Sequence, residues 1–347
     1  MRIVQVIDQL GLGGAERVCV NLTNLLFRNG NDVKLIVLND KGALFDLIDD
    51  GVEVVRLNKN KGKFKAYREF KKHIKKDDII HIHMRNPYRF VRKAFLFLGG
   101  NRPVILHDHY GKIVVNQSVP KWYKTIFKPH FFIGCSELLT EWAVNKVKLK
   151  EDRVFLVNNF VLHYESNYKN HTPKGLVLVG SLKKVKNHRL AMDIAKALDK
   201  DLTIYCPSLE GGEGDYYETL VAHMDKIQYK DRIHFVTGCN NVQTELKQYE
   251  MALLTSTSEG DPLALVEYMA QGLPFLCSDM GEAVKIVKQH YPEMVQGDFD
   301  VNNWVANYHK VKEIQSEQIE SLYNEHFSSD LYLEKYLSIY KKFLASV

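Results

Sequence analysis

The sequence predicts an α/β protein of two Rossmann-like domains, and three observations carry that expectation. Short apolar runs alternate with amphipathic stretches along all 347 residues, the pattern of a parallel sheet covered by helices. The runs fall into two comparable series, and a chain of this length is too long for one ordinary core. A glycine-rich turn, Gly11-Leu12-Gly13-Gly14-Ala15-Glu16, follows the first run and opens a helix whose inward face is Val18, Leu22, Leu25 and Leu26.

In order, strands are expected at 3–7, 33–38, 52–57, 79–83, 104–107 and 131–135. A second series follows at 155–157, 176–180, 202–206, 233–236, 251–254 and 274–277. The first domain is therefore set at residues 1–155 and the second at 156–326, with a ligand cleft expected between them. Residues 327–347 read as a terminal helix, with Tyr332, Tyr336, Ile339, Tyr340 and Phe343 at helical spacing. The run Gly211-Gly212-Glu213-Gly214-Asp215 reads as a flexible surface loop.

Hydrophobic residues make up 45% and charged residues 26%, and no stretch approaches the roughly 18 apolar residues of a membrane span. The first eight residues read as a buried strand rather than a secretory signal, so a cytoplasmic location is expected. Five scattered cysteines without a C-x-x-C pair argue against a disulfide framework and against a zinc site. The net charge of +5 is uneven: residues 1–150 hold 27 basic against 14 acidic side chains, or +13, and residues 151–347 hold 20 against 28, or −8. Basic residues such as Lys63, Lys65, Arg89 and Lys93 sit among Phe64, Tyr67, Phe90 and Phe97, a mixture that suits peripheral contact with an anionic membrane. Nucleic acid would fit the charge, yet no nucleic-acid-binding motif is present.

The segment from Thr255 to Glu267 holds most of the chemistry. A strand at 251–254 leads into the turn Glu259-Gly260-Asp261, and Pro262 is expected as the first helical residue, where its missing N–H costs nothing. Glu267, five residues further at about 1.5 Å each, then lies roughly 7 Å along the helix. The two acids must therefore grip different parts of one ligand. Carboxylates suit the vicinal diols of a ribose or a hexose, and the N–H groups of a helix start at Gly260 to Leu263 suit a phosphate between them. Such a ligand is a nucleoside diphosphate sugar. The pattern Glu259-Gly260-x-Pro262-x-x-x-x-Glu267, followed by Ala270-x-Gly272-x-Pro274 and Cys277-Ser278-Asp279, resembles the signature of the retaining glycosyltransferases of family 4. The resemblance implies a GT-B fold whose terminal helix crosses back to the first domain. It also implies retention of configuration without metal or cofactor, with Glu259 on the transferred sugar and Glu267 on the nucleotide ribose. Asp261 stands where many members have an aromatic or aliphatic residue.

Gly180-Ser181-Leu182-Lys183-Lys184-Val185-Lys186-Asn187-His188 follows a strand of the second series and resembles the family's Gly-Arg-x-x-x-x-Lys-Asn segment. Lys186 matches the lysine that neutralises the donor diphosphate. Ser181 replaces the arginine, and Lys183 or Lys184 is expected to supply part of the missing charge. Gly13, Gly14 and Glu16 resemble the family's first loop, near the diphosphate and the acceptor; as a dinucleotide fingerprint the loop is defective, because Glu16 holds the third glycine position. His81 and His83, like His107 and His109, alternate onto one face of their strands. No carboxylate or thiolate cluster joins them, so no metal is expected. His109 matches the histidine that the family keeps beside the donor sugar, whereas His81 and His83 read as structural.

The expected function is transfer of a sugar, UDP- or GDP-linked, to a glycan or lipid-diphosphate-linked acceptor in surface polysaccharide or lipopolysaccharide assembly. The rivals are an NAD(P)-dependent oxidoreductase using the first glycine loop, a non-catalytic nucleotide-sugar sensor, and a nucleotide-sugar epimerase.

Overall fold

The computed structural model describes residues 1–347 apart from 101, 112, 115, 169–171, 211–213 and 347, so most of the loop expected at Gly211 to Asp215 lies outside the described residues. The chain divides into two units, Met1–Asn159 with Ser329–Val347, and Phe160–Ser328. These divisions fall a few residues after the positions 155 and 326 expected from the sequence.

The first unit holds β1 (Arg2–Ile7), β2 (Asp32–Val37), β3 (Glu53–Arg56), β4 (Ile79–His83), β5 (Ile105–Asp108), β6 (Phe131–Gly134) and β7 (Val154–Leu156). They form one parallel sheet in the order β3-β2-β1-β4-β5-β6-β7. Helices α1 (Gly14–Arg28), α2 (Lys63–Lys72), α3 (Arg85–Leu98) and α4 (Glu137–Asn145) connect these strands. Val4, Val6, Ile80, Ile82 and Leu106 are fully buried, which is why these strands read as nearly unbroken apolar runs.

The second unit repeats the winding. Strands β8 (Leu176–Val179), β9 (Leu202–Cys206), β10 (Ile233–Thr237), β11 (Met251–Leu254), β12 (Phe275–Ser278) and β13 (Val295–Gln296) are parallel in the order β10-β9-β8-β11-β12-β13. Its helices are α5 (His188–Ala197), α6 (Tyr216–Ile227), α7 (Gln243–Leu246), α8 (Leu263–Ala270), α9 (Glu282–His290), α10 (Val301–Val311) and α11 (Ser316–His326). In each sheet the direction of winding reverses once, between β1 and β4 in the first and between β8 and β11 in the second. Such reversals open a crevice at the carboxyl ends of the strands, where doubly wound sheets bind ligands.

Helix α12 (Ser329–Ala345) belongs to the first unit. It buries the stripe Tyr332, Tyr336, Ile339, Tyr340 and Phe343, with the Phe343 ring 5.3 Å from that of Phe131. Among the described residues no helix is long and apolar enough to cross a membrane. The five cysteines are free, and four are buried.

Two strand expectations need correction, and one strand, β13, was not expected. The run expected to open the second series is β7, an edge strand of the first sheet paired with β6 from Phe132↔Val154 to Gly134↔Leu156. A three-residue apolar run says nothing of which sheet it joins. Strand β13 has two residues, too few to show a period. Pro274 precedes β12, and its carbonyl accepts the Ala252 N–H at 2.8 Å although its own nitrogen can donate nothing.

Tyr336, on the buried face of α12, is 0% exposed. Tyr336→Ala is expected to lower unfolding free energy by about 3–5 kcal/mol, read from urea denaturation of the whole chain.

Candidate functional site

The loops after β8 and β11 lie at the point where the second sheet reverses, and the sequence builds them to hold each other. Thr255 Oγ1 donates to the carbonyls of Lys186 at 2.9 Å and Asn187 at 3.1 Å, and the Thr257 N–H donates to the Val185 carbonyl at 2.8 Å. Strands β8 and β11 pair only at Met251↔Leu176 and Ala252↔Val177. Beyond that pairing the Tyr268 hydroxyl accepts the Val179 N–H at 2.9 Å and approaches the Leu253 carbonyl at 3.5 Å. Tyr268 thus spans the opening between the two strands. Burial pushes its hydroxyl well above the usual tyrosine range, so it stays a neutral strut.

The two loops bring Lys186 and Glu259 together: Lys186 Nζ lies 2.5 Å from Glu259 Oε1, and Ser256 Oγ donates to the same oxygen at 2.6 Å. Ser256 is held in turn by Ser278, whose hydroxyl donates to the Ser256 carbonyl at 2.5 Å. Both contacts land on Oε1, and a carboxylate has a second oxygen with acceptor sites of its own. The Glu259 side chain keeps 12% of its surface exposed and Lys186 keeps 21%, so both can meet a ligand.

Pro262 is the N-cap of α8 (φ −75°, ψ 104°), and the helix begins one residue later, at Leu263, than the sequence suggested. The ring fixes φ but leaves ψ extended, which is the conformation of an N-cap. The Leu265 N–H turns back to the Pro262 carbonyl at 3.1 Å, and the N–H groups before it are those that a helix start leaves without intrahelical acceptors. Glu267, on the next turn of α8, is 4% exposed, against the solvated acid that a polar helix face would give. Asp261, expected among the ligand contacts, is buried, and its Oδ1 accepts the Ala283 N–H of α9 at 3.1 Å. Together with the Glu282 N–H donating to the Gly260 carbonyl at 3.0 Å, this pins the turn to the start of α9. The pinning requires Gly281: its φ is +106°, and a Cβ there would lie 2.5 Å from Pro262 Cδ and 3.2 Å from Glu259 Cβ. Lys183 and Lys184 are exposed and Ser181 is half-buried, all three on the loop that carries Lys186. His188 opens α5 fully buried, and burial together with the nearby Lys186 lowers its pKa to about 4.

In the first unit, the loop after β1 runs to Gly13, the N-cap of α1, whose first turn holds Gly14 and Glu16. A Cβ on Gly13 would lie 2.4 Å from Glu16 Oε2, so the glycine makes room for that carboxylate. His109 follows β5, and its Nε2 lies 3.2 Å from His83 Nδ1. His81, His83 and His107 are fully buried, with ring nitrogens within 4.8 Å of one another. The His81 and His83 rings stack in parallel, 4.7 Å apart at 5°. Burial lowers all four imidazoles, His81 to about 3, His109 to about 4, and His83 and His107 well below the usual value.

Glu259, Lys186 and the α8 start are therefore adjacent, and Glu267 lies on the same helix. Tyr268 and Ser256 were missed as site residues. Tyr268 reads as an ordinary core aromatic of an apolar helix, whereas Ser256, three residues before Glu259, was visible as a possible partner.

Two family models match in succession: Glycosyltransferase Family 4 over residues 12–162 and Glycosyl transferases group 1 over residues 163–327. A Haemophilus influenzae protein described as an uncharacterized glycosyltransferase is 25% identical over 318 residues, covering 84% of this chain and 87% of its own. Among solved structures, Anabaena Alr3699/HepE in complex with UDP and glucose superposes with a TM-score of 0.78 at 14% identity, covering 98% of this chain and 99% of that one. The lipopolysaccharide outer core galactosyltransferase WaaB, in its apo form, gives 0.63 at 18% identity over 98% and 99% of the two chains.

Gly281→Ala is expected to cost at least about 1 kcal/mol in chemical denaturation, because it combines a left-handed φ with a clash against Pro262. The lowered histidines set a pH window. Below the unfolded pKa of about 6.5 the unfolded chain takes up protons that the folded imidazoles refuse, so stability is held above pH 6.5 and lost as pH falls towards 4. The urea midpoint is expected to be lower at pH 5 than at pH 7.5, with no comparable change between pH 7.5 and 8.5.

Proposed function

Because the chain belongs to the family 4, group 1 glycosyltransferases, we propose that it moves a sugar from a nucleoside diphosphate donor to a hydroxyl of a glycan or lipid-linked acceptor, with retention and without a metal. The observation that carries this reading is the Lys186–Glu259 pair at the reversal of the second sheet. Donor diphosphate draws Lys186 to itself and releases Glu259 to orient the sugar, while Glu267 takes the ribose diol. Lys186 and the N–H groups at the start of α8 stabilise the charge that gathers on the leaving phosphate. The acceptor oxygen forms its bond to the anomeric carbon on the face from which the phosphate departs, and the phosphate oxygen takes the acceptor's proton. His109 takes the part implied by the family resemblance, a hydrogen bond near the hydroxymethyl edge of the sugar. UDP is the favoured nucleotide, since it occupies the solved Anabaena relative.

The lipid-linked acceptor has separate support. Phe64 is 61% exposed and Phe97 54%, their rings 5.4 Å apart, on helices α2 and α3 rich in lysine and arginine. Exposed rings beside cations suit the surface of an anionic bilayer, the setting of surface polysaccharide and lipopolysaccharide assembly.

In a thermal-shift screen of nucleotide sugars, free nucleotides and NAD(P), a UDP-sugar is expected to raise the melting temperature, and Lys186→Ala and Glu267→Ala to abolish the rise. Stabilisation by NAD(P) alone would overturn the transferase reading. Liposomes containing anionic lipid are expected to sediment the protein at low salt, and Phe64→Ser with Phe97→Ser to weaken that binding at least about tenfold; no sedimentation would remove the membrane from the account.

A further inference from the structure

Two donors share one oxygen of Glu259, and they differ in how freely each can leave it. Lys186 reaches Oε1 on a flexible four-carbon stem, keeps 21% of its side chain exposed and carries a charge that a second anion can claim. Ser256 reaches the same oxygen at 2.6 Å with a hydroxyl that swings about a single torsion. An ionised carboxylate only accepts, so the direction of that bond is fixed: Ser256 donates.

The backbone that carries Ser256 is held from several directions. Its carbonyl takes the Ser278 hydroxyl at 2.5 Å, and Ser278 ends β12. On one side Thr255 Oγ1 donates to the Lys186 and Asn187 carbonyls, and on the other the Thr257 N–H donates to the Val185 carbonyl. Ser256 and Ser278 are each 1% exposed and Thr255 is 0% exposed, so water offers their hydroxyls no replacement partner. Ser256 therefore stays in place when the Lys186 side chain moves. The Glu259 side chain turns about three torsions, and a carboxylate released by Lys186 with no fixed donor on Oε1 would spread over several rotamers. With Ser256 in place, one oxygen remains occupied and the other keeps its direction.

We propose that Ser256 is a positioning residue which holds Glu259 Oε1 after Lys186 has turned to the donor diphosphate, and so directs Oε2 to a hydroxyl of the transferred sugar. The hydrogen bond stands on the geometry; the diphosphate and the sugar rest on the functional reading above.

Calorimetric titration of the full-length protein with UDP and with UDP-glucose, the latter replaced by whichever UDP-sugar gives the largest thermal shift, separates the two parts of the donor. In Ser256→Ala the affinity for UDP is expected to stay within about threefold of wild type. The ratio of UDP-sugar affinity to UDP affinity is expected to fall about tenfold, the weight of one hydrogen bond to a charged group. A loosened loop would not reproduce the coupling to Glu259: in a Glu259→Ala background, adding Ser256→Ala is expected to change that ratio by less than about twofold. Ser256→Cys, which nearly keeps the volume but offers only a weak donor, serves if Ser256→Ala fails to fold. An unchanged ratio in Ser256→Ala, whether both affinities hold or both fall together, would overturn the proposal, and so would a fall of the same size in the Glu259→Ala background. A wild-type protein that binds neither UDP nor any UDP-sugar would instead overturn the functional reading on which the sugar contact rests.

Discussion

At 2.5 Å, the ammonium of Lys186 and the carboxylate of Glu259 join the loops after β8 and β11, the contact on which the proposed site depends. The pair is reinforced from every side. Thr255 and Thr257 tie the backbones of the loops, Ser256 shares the carboxylate, and Ser278 fixes Ser256. Gly260 and Asp261 anchor the turn to α9, and Gly281 lets that anchor approach. In the function proposed above, a cation and an anion held this firmly do not need to be assembled when the donor arrives. They need only exchange partners, which is the economy of a preorganised polar site.

Both members of the pair were legible in the sequence, because each sits in a motif whose spacing has a local cause: a strand, a turn and a helix start. What surrounds them was not. Asp261 reads as a ligand contact because it lies between Glu259 and Pro262, yet its carboxylate faces Ala283, a residue 22 positions on. The requirement for glycine at 281 comes from the Pro262 ring, a contact that no local pattern encodes. Tyr268 sits in an apolar helix, and only the splaying of β8 from β11 gives its hydroxyl something to span. The same limit explains β7, whose three residues could have joined either sheet.

The first unit repeats the lesson with histidines. Alternation along β4 does place His81 and His83 on one face, and their rings stack as that spacing requires. Their partners, Gln5 and Tyr340, come from the two ends of the chain, and only the fold brings them to β4. The terminal helix therefore does more than cover the sheet: the Tyr340 hydroxyl joins a buried network that includes Gln5, His81, His83 and His109.

The central claim is that a donor diphosphate takes Lys186 from Glu259 and leaves that carboxylate to the sugar. Calorimetric titration of UDP and of the preferred UDP-sugar into the wild type and Glu259→Gln tests it most directly. The account predicts that Glu259→Gln binds UDP at least as tightly as the wild type, since its Lys186 has no anion to leave, and that the additional affinity of the UDP-sugar over UDP disappears. A loss of UDP affinity of about tenfold or more in Glu259→Gln, with the sugar's increment intact, would contradict it.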